Sequence, residues 1–171
     1  MTETIYFNSP VGKLKLSCND DAVESLLFVK EEIEQEISSK CEDLANRKTA
    51  LAITAKCLQE LDDYFNGKLF NFSVKLNQQG TDFQQSVWNA LTAIKPGTTK
   101  SYMQLSKSLG NAKAIRAVGT ANGKNAIVIM VPCHRVIGSN GSLVGYGGGL
   151  WRKKWLLEHE AKYLSGMQLL F

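Results

Sequence analysis

Six consecutive residues, Val131-Pro132-Cys133-His134-Arg135-Val136, set a thiol, an imidazole and a guanidinium side by side. A thiol becomes a strong nucleophile when a base or a nearby positive charge turns it into a thiolate. His134 offers the base and Arg135 the charge. The chemistry open to such a trio is attack by Cys133 on an electrophilic carbon. Cys133 closes an apolar run, 126–131, that reads as an extended segment. Adjacent side chains on an extended strand point to opposite faces. His134 then reaches the sulfur only through a bend or a bridging water. A carboxylate behind the imidazole would raise its basicity and fix its tautomer. Residues 81–171 hold three carboxylates, Asp82, Glu158 and Glu160. Arg135 is expected in a structural ion pair with the acidic first half of the chain.

The remaining candidates for chemistry are few. Cys18, Cys41 and Cys57 are scattered, without a CxxC pair, and read as inert thiols in a reducing compartment. The only histidines are His134 and His159. A zinc site needs clustered ligands, so no metal is expected. No apolar run approaches the roughly 18–20 residues of a membrane helix. The first ten residues lack the basic start and apolar stretch of a signal peptide. A cytoplasmic protein is expected, with no membrane partner.

The elements that must position these residues fall into two halves, 1–80 and 81–171. Three apolar stretches, 4–8, 13–17 and 22–29, are separated by Pro10-Val11-Gly12 and Asn19-Asp20-Asp21, and read as an antiparallel meander. An acidic stretch over 30–40 follows as a solvated helix or loop. Helical spacing of Leu51, Leu58, Leu61 and Phe65 predicts a helix over 49–66, ended by Gly67. Residues 71–76 read as a last strand.

The second half reads as mostly helical. Thr81-x-x-Gln84 and Ser101-x-x-Gln104 are capping-box patterns. After the first, Phe83, Val87, Leu91 and Ile94 line one face. After the second, a short helix, the turn Gly110-Asn111 and a third helix over 112–122 make a helix-turn-helix. That third helix carries few bulky side chains, with Lys113, Arg116 and Thr120 on one face. It is shaped to lie close to DNA with one arginine as a probe. Ser139-Asn140-Gly141-Ser142 predicts a hairpin wing. A last helix, 150–162, is expected to turn Trp151, Trp155 and Leu156 inward and to offer Arg152, Lys153 and Lys154 as a basic cluster.

Charge divides the same way. Residues 1–80 hold 9 basic and 13 acidic residues, and residues 81–171 hold 11 and 3. A second half this basic suits a polyanion partner.

Pro132-Cys133-His134-Arg135-Val136 resembles the active-site signature of the O6-alkylguanine-DNA alkyltransferases. The likeness continues through Phe83-Gln84-x-x-Val87-Trp88, Ser101-Tyr102, Ala114-Ile115-Arg116-Ala117-Val118-Gly119, Asn125, Gly145-Tyr146 and Lys153-x-Trp155-Leu156-Leu157-x-x-Glu160. It covers about residues 81–160. It implies an α/β fold: a small ribonuclease-H-like sheet domain over 1–80, then a mostly helical domain over 81–171 with a winged helix-turn-helix.

The resemblance implies roles as well. Cys133 accepts the alkyl group. His134 is the base, acting through a water and oriented by Glu160. Asn125 holds the active-site turn. Tyr102 rotates the damaged nucleotide and protonates the guanine ring. Arg116 fills the vacated base stack, and Ala114, Gly119 and Ser139 lie against DNA. Val136, Tyr146, Gly147 and Gly148 line the guanine pocket. The implied substrate is double-stranded DNA holding O6-alkylguanine, with O4-alkylthymine as a second possibility. A monomer without cofactor or obligate protein partner is expected, reacting once, because a thioether has no easy leaving group. Ala126 stands where the family often has proline, and Gly147 where some relatives carry a base-bonding side chain.

Two rivals remain at this stage. A non-catalytic lesion-binding module would bind alkylated DNA without group transfer. A cysteine hydrolase would use Cys133, His134 and Glu160 over many turnovers.

Overall fold

Alternating apolar and polar residues build the opening strands β1 (Glu3–Ser9), β2 (Gly12–Cys18) and β3 (Val23–Phe28). They form one antiparallel sheet in the order β1-β2-β3. Ser9 pairs with Gly12 across the Pro10-Val11 loop. At the second turn the Asn19 side-chain oxygen accepts from the backbone N–H groups of Asp21 and Ala22, at 2.9 and 2.8 Å, the local bonding that suits Asn to turns. The structure, a computed structural model, describes residues 1–30, 33 and 51–164. It divides into two compact units, Met1–Gln78 and Gln79–Phe171.

In the first unit α1 (Ala52–Phe65) packs on the sheet. Cys57, Leu58, Leu61 and Tyr64 recur at helical spacing and are buried with Leu14, Leu16, Cys18, Val23 and Leu26. Glu60 shares that buried face. Its carboxylate accepts from the Ser73 and Val74 N–H groups, at 2.9 and 3.3 Å, and from the Ser73 hydroxyl. The strand expected over 71–76 is therefore reduced to one parallel bridge, Val23 with Leu76. Glu60 has taken N–H groups that a longer ladder would use. The expected 30–40 segment, apart from Lys30 and Ile33, lies outside the described residues, as does Cys41.

In the second unit both capping boxes form. Thr81 and Gln84 exchange bonds at the start of α2 (Asp82–Thr92), and Ser101 and Gln104 do so at the start of α3 (Tyr102–Ser108). Val87, Trp88, Leu91, Ile94, Leu105, Val118 and Ala121 make the core. The Trp88 indole N–H donates to the Ala121 carbonyl at 2.9 Å. Phe83, expected on the inner face, is 41% exposed; it sits in the first turn of α2, ahead of the residues that meet the core.

The helix-turn-helix forms from α3 and α4 (Ile115–Gly123), which pack together. α4 starts three residues later than the sequence suggests. The Lys113 and Ala114 N–H groups are held by Asn111, at 3.0 and 3.1 Å, in a turn. The Asn140-Gly141 turn closes through a bond from the Gly138 N–H to the Ser142 carbonyl at 2.8 Å. It makes no two-stranded wing among the described residues. β5 (Val136–Ile137) instead pairs in parallel with β4 (Lys100–Ser101).

The last helix, α5 (Leu150–Leu164), corrects a sequence expectation. Trp151 faces out at 50% exposure, while Arg152 and Lys153 are buried and only Lys154 remains at the surface. The preceding loop has carbonyls that need donors. Arg152 donates to the Gly148 carbonyl at 2.8 Å and stacks over Trp151, and Lys153 donates to the Val144 carbonyl at 2.7 Å. The architecture is the expected α/β one: a small sheet unit, then a mostly helical unit bearing a helix-turn-helix.

Candidate active site and nucleic-acid cleft

The residues before Cys133 form no strand. Val131 N–H bonds the Ile127 carbonyl at 3.0 Å and Cys133 N–H the Val131 carbonyl at 2.8 Å, so the chain coils tightly. Ile129 has φ 72°, a rare conformation for a β-branched residue that costs on the order of 1–3 kcal/mol. Asn125 holds this coil. Its side-chain oxygen accepts from the Ile127 N–H at 3.0 Å. Its side-chain nitrogen donates to the Val131 carbonyl at 2.8 Å and to the Cys133 sulfur at 3.1 Å. Cys133–Arg135 then make one turn of 3₁₀ helix. That turn is the bend which strand alternation alone would have denied to Cys133 and His134.

His134 and Arg135 both turn to Glu160 on α5. His134 Nε2 lies 2.7 Å from Glu160 Oε1, and the Arg135 Nε and Nη2 donate to the two carboxylate oxygens, each at 2.9 Å. The Gly97 N–H donates to the same carboxylate at 3.0 Å, and Arg135 Nη1 donates to the Ile94 carbonyl at 2.7 Å. Arg135 therefore pairs with Glu160 rather than with the acidic first half, since its fork meets both carboxylate oxygens at once. Of the three candidate carboxylates only Glu160 reaches the imidazole; Glu158 is exposed and pairs with Lys154. The other ring nitrogen, His134 Nδ1, is buried and makes no hydrogen bond among the described residues.

Burial dominates the electrostatics. It pushes the Cys133 thiol pKa up, against the Asn125 hydrogen bond and the Lys153 charge, which lower it. Burial also lowers the His134 pKa, although Glu160 opposes this. Burial would raise Glu160, but His134 and Arg135 overcome it and hold the carboxyl well below the usual range. Lys153 is fully buried, and burial lowers its pKa to about 8, partly offset by Cys133.

Sequence reading missed Lys153 as a site residue, because it stands in a run of three basic residues. One signal was available. Lys153 lies seven residues before Glu160 with Leu156 and Leu157 between, so helical spacing puts all four on the buried face. Its ammonium nitrogen is 5.8 Å from the centre of the Tyr102 ring.

An open cleft of about 860 Å³ lies alongside, lined by Tyr102, Ile115, Arg116, Gly119, Thr120, Gly123, Ser139, Val144, Gly145, Tyr146 and Gly147. The Tyr102 hydroxyl donates to the Val144 carbonyl at 3.4 Å. Gly119 of α4 faces this ring: a Cβ there would lie 3.9 Å from it, in ordinary contact. Gly145 has φ 59°, and a Cβ there would sit 3.4 Å from the Tyr102 hydroxyl, a conformation and spacing that favour glycine. Burial raises the pKa of Tyr102 and of Tyr146, and the charge of a Cys133 thiolate raises both further.

Of the residues singled out from sequence, the structure brings Cys133, His134, Glu160 and Asn125 into one cluster and Tyr102, Arg116, Gly119, Ser139, Tyr146 and Gly147 into the cleft. Ala114, Val136 and Gly148 stay outside the lining. Ala114 is the N-cap of α4, Val136 is fully buried on β5, and Gly148 offers its carbonyl to Arg152.

Two family models match the chain. The 6-O-methylguanine DNA methyltransferase, ribonuclease-like domain matches residues 2–78, and the 6-O-methylguanine DNA methyltransferase, DNA binding domain matches residues 82–162. The methylated-DNA–protein-cysteine methyltransferase of Methanosarcina acetivorans is 42% identical over 154 residues, covering 90% of this chain and 95% of the relative. The crystal structure of the Mycobacterium tuberculosis O6-methylguanine methyltransferase is 39% identical, covers 98% of this chain and 97% of its own, and superposes with a TM-score of 0.80. The Mycobacterium tuberculosis OGT in complex with DNA is 40% identical, covers 95% and 93%, and superposes with a TM-score of 0.78.

Proposed function

The chain belongs to the 6-O-methylguanine DNA methyltransferase family, and on that premise we propose that it repairs double-stranded DNA by moving the alkyl group of an O6-alkylguanine onto its own Cys133. O4-alkylthymine is a second substrate of the same kind. The observation that carries this reading is the cluster around the thiol: Asn125 at 3.1 Å from the Cys133 sulfur, and His134 at 2.7 Å from Glu160.

The O6 atom lies inside the duplex, so the base must leave the stack at a cost of a few kcal/mol. The trimmed α4 presses on the groove with Ala114 and Gly119 beside the backbone, Ser139 joins them from the loop after β5, and Arg116 enters the gap. Tyr102 turns the nucleotide, and the base lodges against Tyr146 and Gly147, which line the cleft. The Cys133 proton passes through a water to His134 Nδ1, while Glu160 holds Nε2. Asn125 and the Lys153 charge favour the thiolate that results. Sulfur forms a bond to the alkyl carbon as the carbon–O6 bond breaks. The released pair moves into the purine, and Tyr102 supplies a proton to the ring, so neutral guanine leaves. The His134 proton then restores the phenol through solvent. The displacement transfers no redox equivalents and needs no cofactor. The product is a thioether, so each molecule, acting as a monomer in the cytoplasm without an obligate protein partner, reacts once.

The test is intact-protein mass spectrometry after mixing with a duplex holding one O6-methylguanine, followed by peptide mapping. One methyl per molecule, on Cys133, is expected. Cys133→Ser should take up none and still bind the duplex. An unmodified protein that binds would make this a lesion-binding module, and repeated turnover on esters or amides would make it a hydrolase.

A further inference from the structure

α5 carries two cations in its first turn, Arg152 and Lys153, and no acidic residue there. The positive end of the helix dipole disfavours both. Both are also buried, Arg152 at 8% exposure and Lys153 at 0%, where a charge is costly unless it is hydrogen-bonded. Their placement is doubly unfavourable for α5 taken by itself. What the two side chains hold is the loop in front of the helix. Lys153 Nζ donates to the Val144 carbonyl at 2.7 Å, and Arg152 Nη1 donates to the Gly148 carbonyl at 2.8 Å. One donor thus grips each end of the stretch 144–148. Trp151 backs the second grip. Its ring centre lies 4.6 Å from the Arg152 guanidinium carbon, and the ring edge is 3.5 Å from where a Cβ on Gly149 would sit.

Between the grips the chain is Gly145-Tyr146-Gly147, and all three residues line the cleft. Glycine loses more conformational freedom on ordering than any other residue. A wall built this way costs entropy whenever it must take one shape around a ligand. A Cβ on Gly147 would meet nothing within 4 Å, and its φ is not positive. Neither packing nor backbone conformation demands glycine there, so the open space in front of it is left for what enters the cleft. Gly148, expected from sequence to line the pocket, instead has its carbonyl tied to Arg152.

We propose that Arg152, backed by Trp151, is a positioning residue for the base pocket: it fixes the Gly148 end of the glycine loop in advance, so that the flipped base meets a wall already in shape. This deepens the alkyl-transfer reading given above and rests on it. Ordering the loop beforehand removes that cost from the binding step. Lys153 holds the other end, but its charge also favours the Cys133 thiolate. Arg152 is therefore the residue that separates the loop from the nucleophile.

The experiment uses the full chain with Arg152→Met, which keeps an apolar stem and loses the donor. Trp151→Leu, at a half-exposed side chain, carries the test should Arg152→Met fail to fold. Four quantities are measured. The first is hydrogen exchange of the Gly149 N–H, which donates to the Tyr146 carbonyl at 3.0 Å inside the loop. The others are the rate of methyl transfer from a saturating O6-methylguanine duplex, the affinity for undamaged duplex, and the rate at which iodoacetamide alkylates Cys133. Iodoacetamide carries no purine, so that rate reads the nucleophile without the pocket. Arg152→Met should speed the exchange and slow methyl transfer, each about tenfold, the size of one lost hydrogen bond. Trp151→Leu should do the same by about threefold, the size of a cation–π contact. Duplex affinity and iodoacetamide reactivity should stay within about twofold in both variants, a margin well below one hydrogen bond.

Faster exchange with an unchanged methyl-transfer rate would make the grip merely structural and overturn the proposal. So would slower transfer with unchanged exchange, or a fall in duplex affinity and iodoacetamide reactivity alongside the transfer rate. An unsubstituted chain that takes up no methyl would sink the alkyl-transfer reading itself, a failure told apart from the others because it shows before any substitution is made.

Discussion

Burial makes the Cys133 thiol a poorer acid, so its reactivity depends on the groups around it. The Lys153 charge favours its thiolate, and keeping an ammonium fully buried is itself costly. Lys153→Met should therefore move activity and stability in opposite directions. Methyl transfer at neutral pH should slow by about tenfold, equal to a shift of one unit in the thiol, while the urea midpoint holds or rises. The sign of the linkage gives a second check. The folded Lys153 titrates near 8, below its unfolded value of roughly 10.4. The unfolded chain binds more protons between those values, so stability rises with pH across that window and the rise should vanish in Lys153→Met.

The acid side is governed by His134 and Glu160. His134 is lowered by burial, so the unfolded chain takes up its proton first and stability falls as pH drops below roughly 6.5. Glu160 is depressed, so its contribution is full above an ordinary carboxylate pKa of roughly 4.3 and is lost as pH falls through its folded value. Glu160→Gln leaves the buried Arg135 without its counter-charge and should cost about 3–5 kcal/mol by urea denaturation.

At the level of elements, the two capping boxes were readable because they are local: a hydroxyl and an amide three residues apart close on each other whatever surrounds them. Ser101→Ala should cost about 1 kcal/mol, and the loss also loosens the start of α3, where Tyr102 is the first residue. α4 offers a sharper test. Gly119→Ala would place its Cβ 3.9 Å from the Tyr102 ring, an ordinary contact. Replacing a mid-helix glycine should stabilise the fold by up to about 1 kcal/mol. If α4 lies against DNA, the same methyl should weaken duplex binding. A raised melting temperature with unchanged affinity would contradict that placement. The strand expected before Cys133 did not form, because Asn125 captures the Ile127 N–H and the Val131 carbonyl that a ladder would have used.

For the whole molecule, charge is the property that acts at a distance. The second half holds 11 basic and 3 acidic residues, and Lys113, Arg116 and Lys124 are exposed at or beside α4. Duplex affinity should fall steeply with salt, and Arg116→Ala should reduce the magnitude of the log–log slope by about one if it meets a phosphate. An unchanged slope with weaker binding would place Arg116 in the base stack instead.

The sequence by itself determined what is local or periodic. The meander, the helix-turn-helix and the capping boxes all follow from residue type and short spacing. Only the tertiary structure decided which partners distant residues find. It chose Glu160 over Asp82 and Glu158 for His134, gave Arg135 to the same carboxylate, and buried Lys153 against the Val144 carbonyl. Those choices depend on how α5 packs against the Cys133 turn. A buried charge keeps its position only where the fold supplies a counter-charge or a carbonyl within hydrogen-bond reach, and nothing in the linear order of residues states which one that will be.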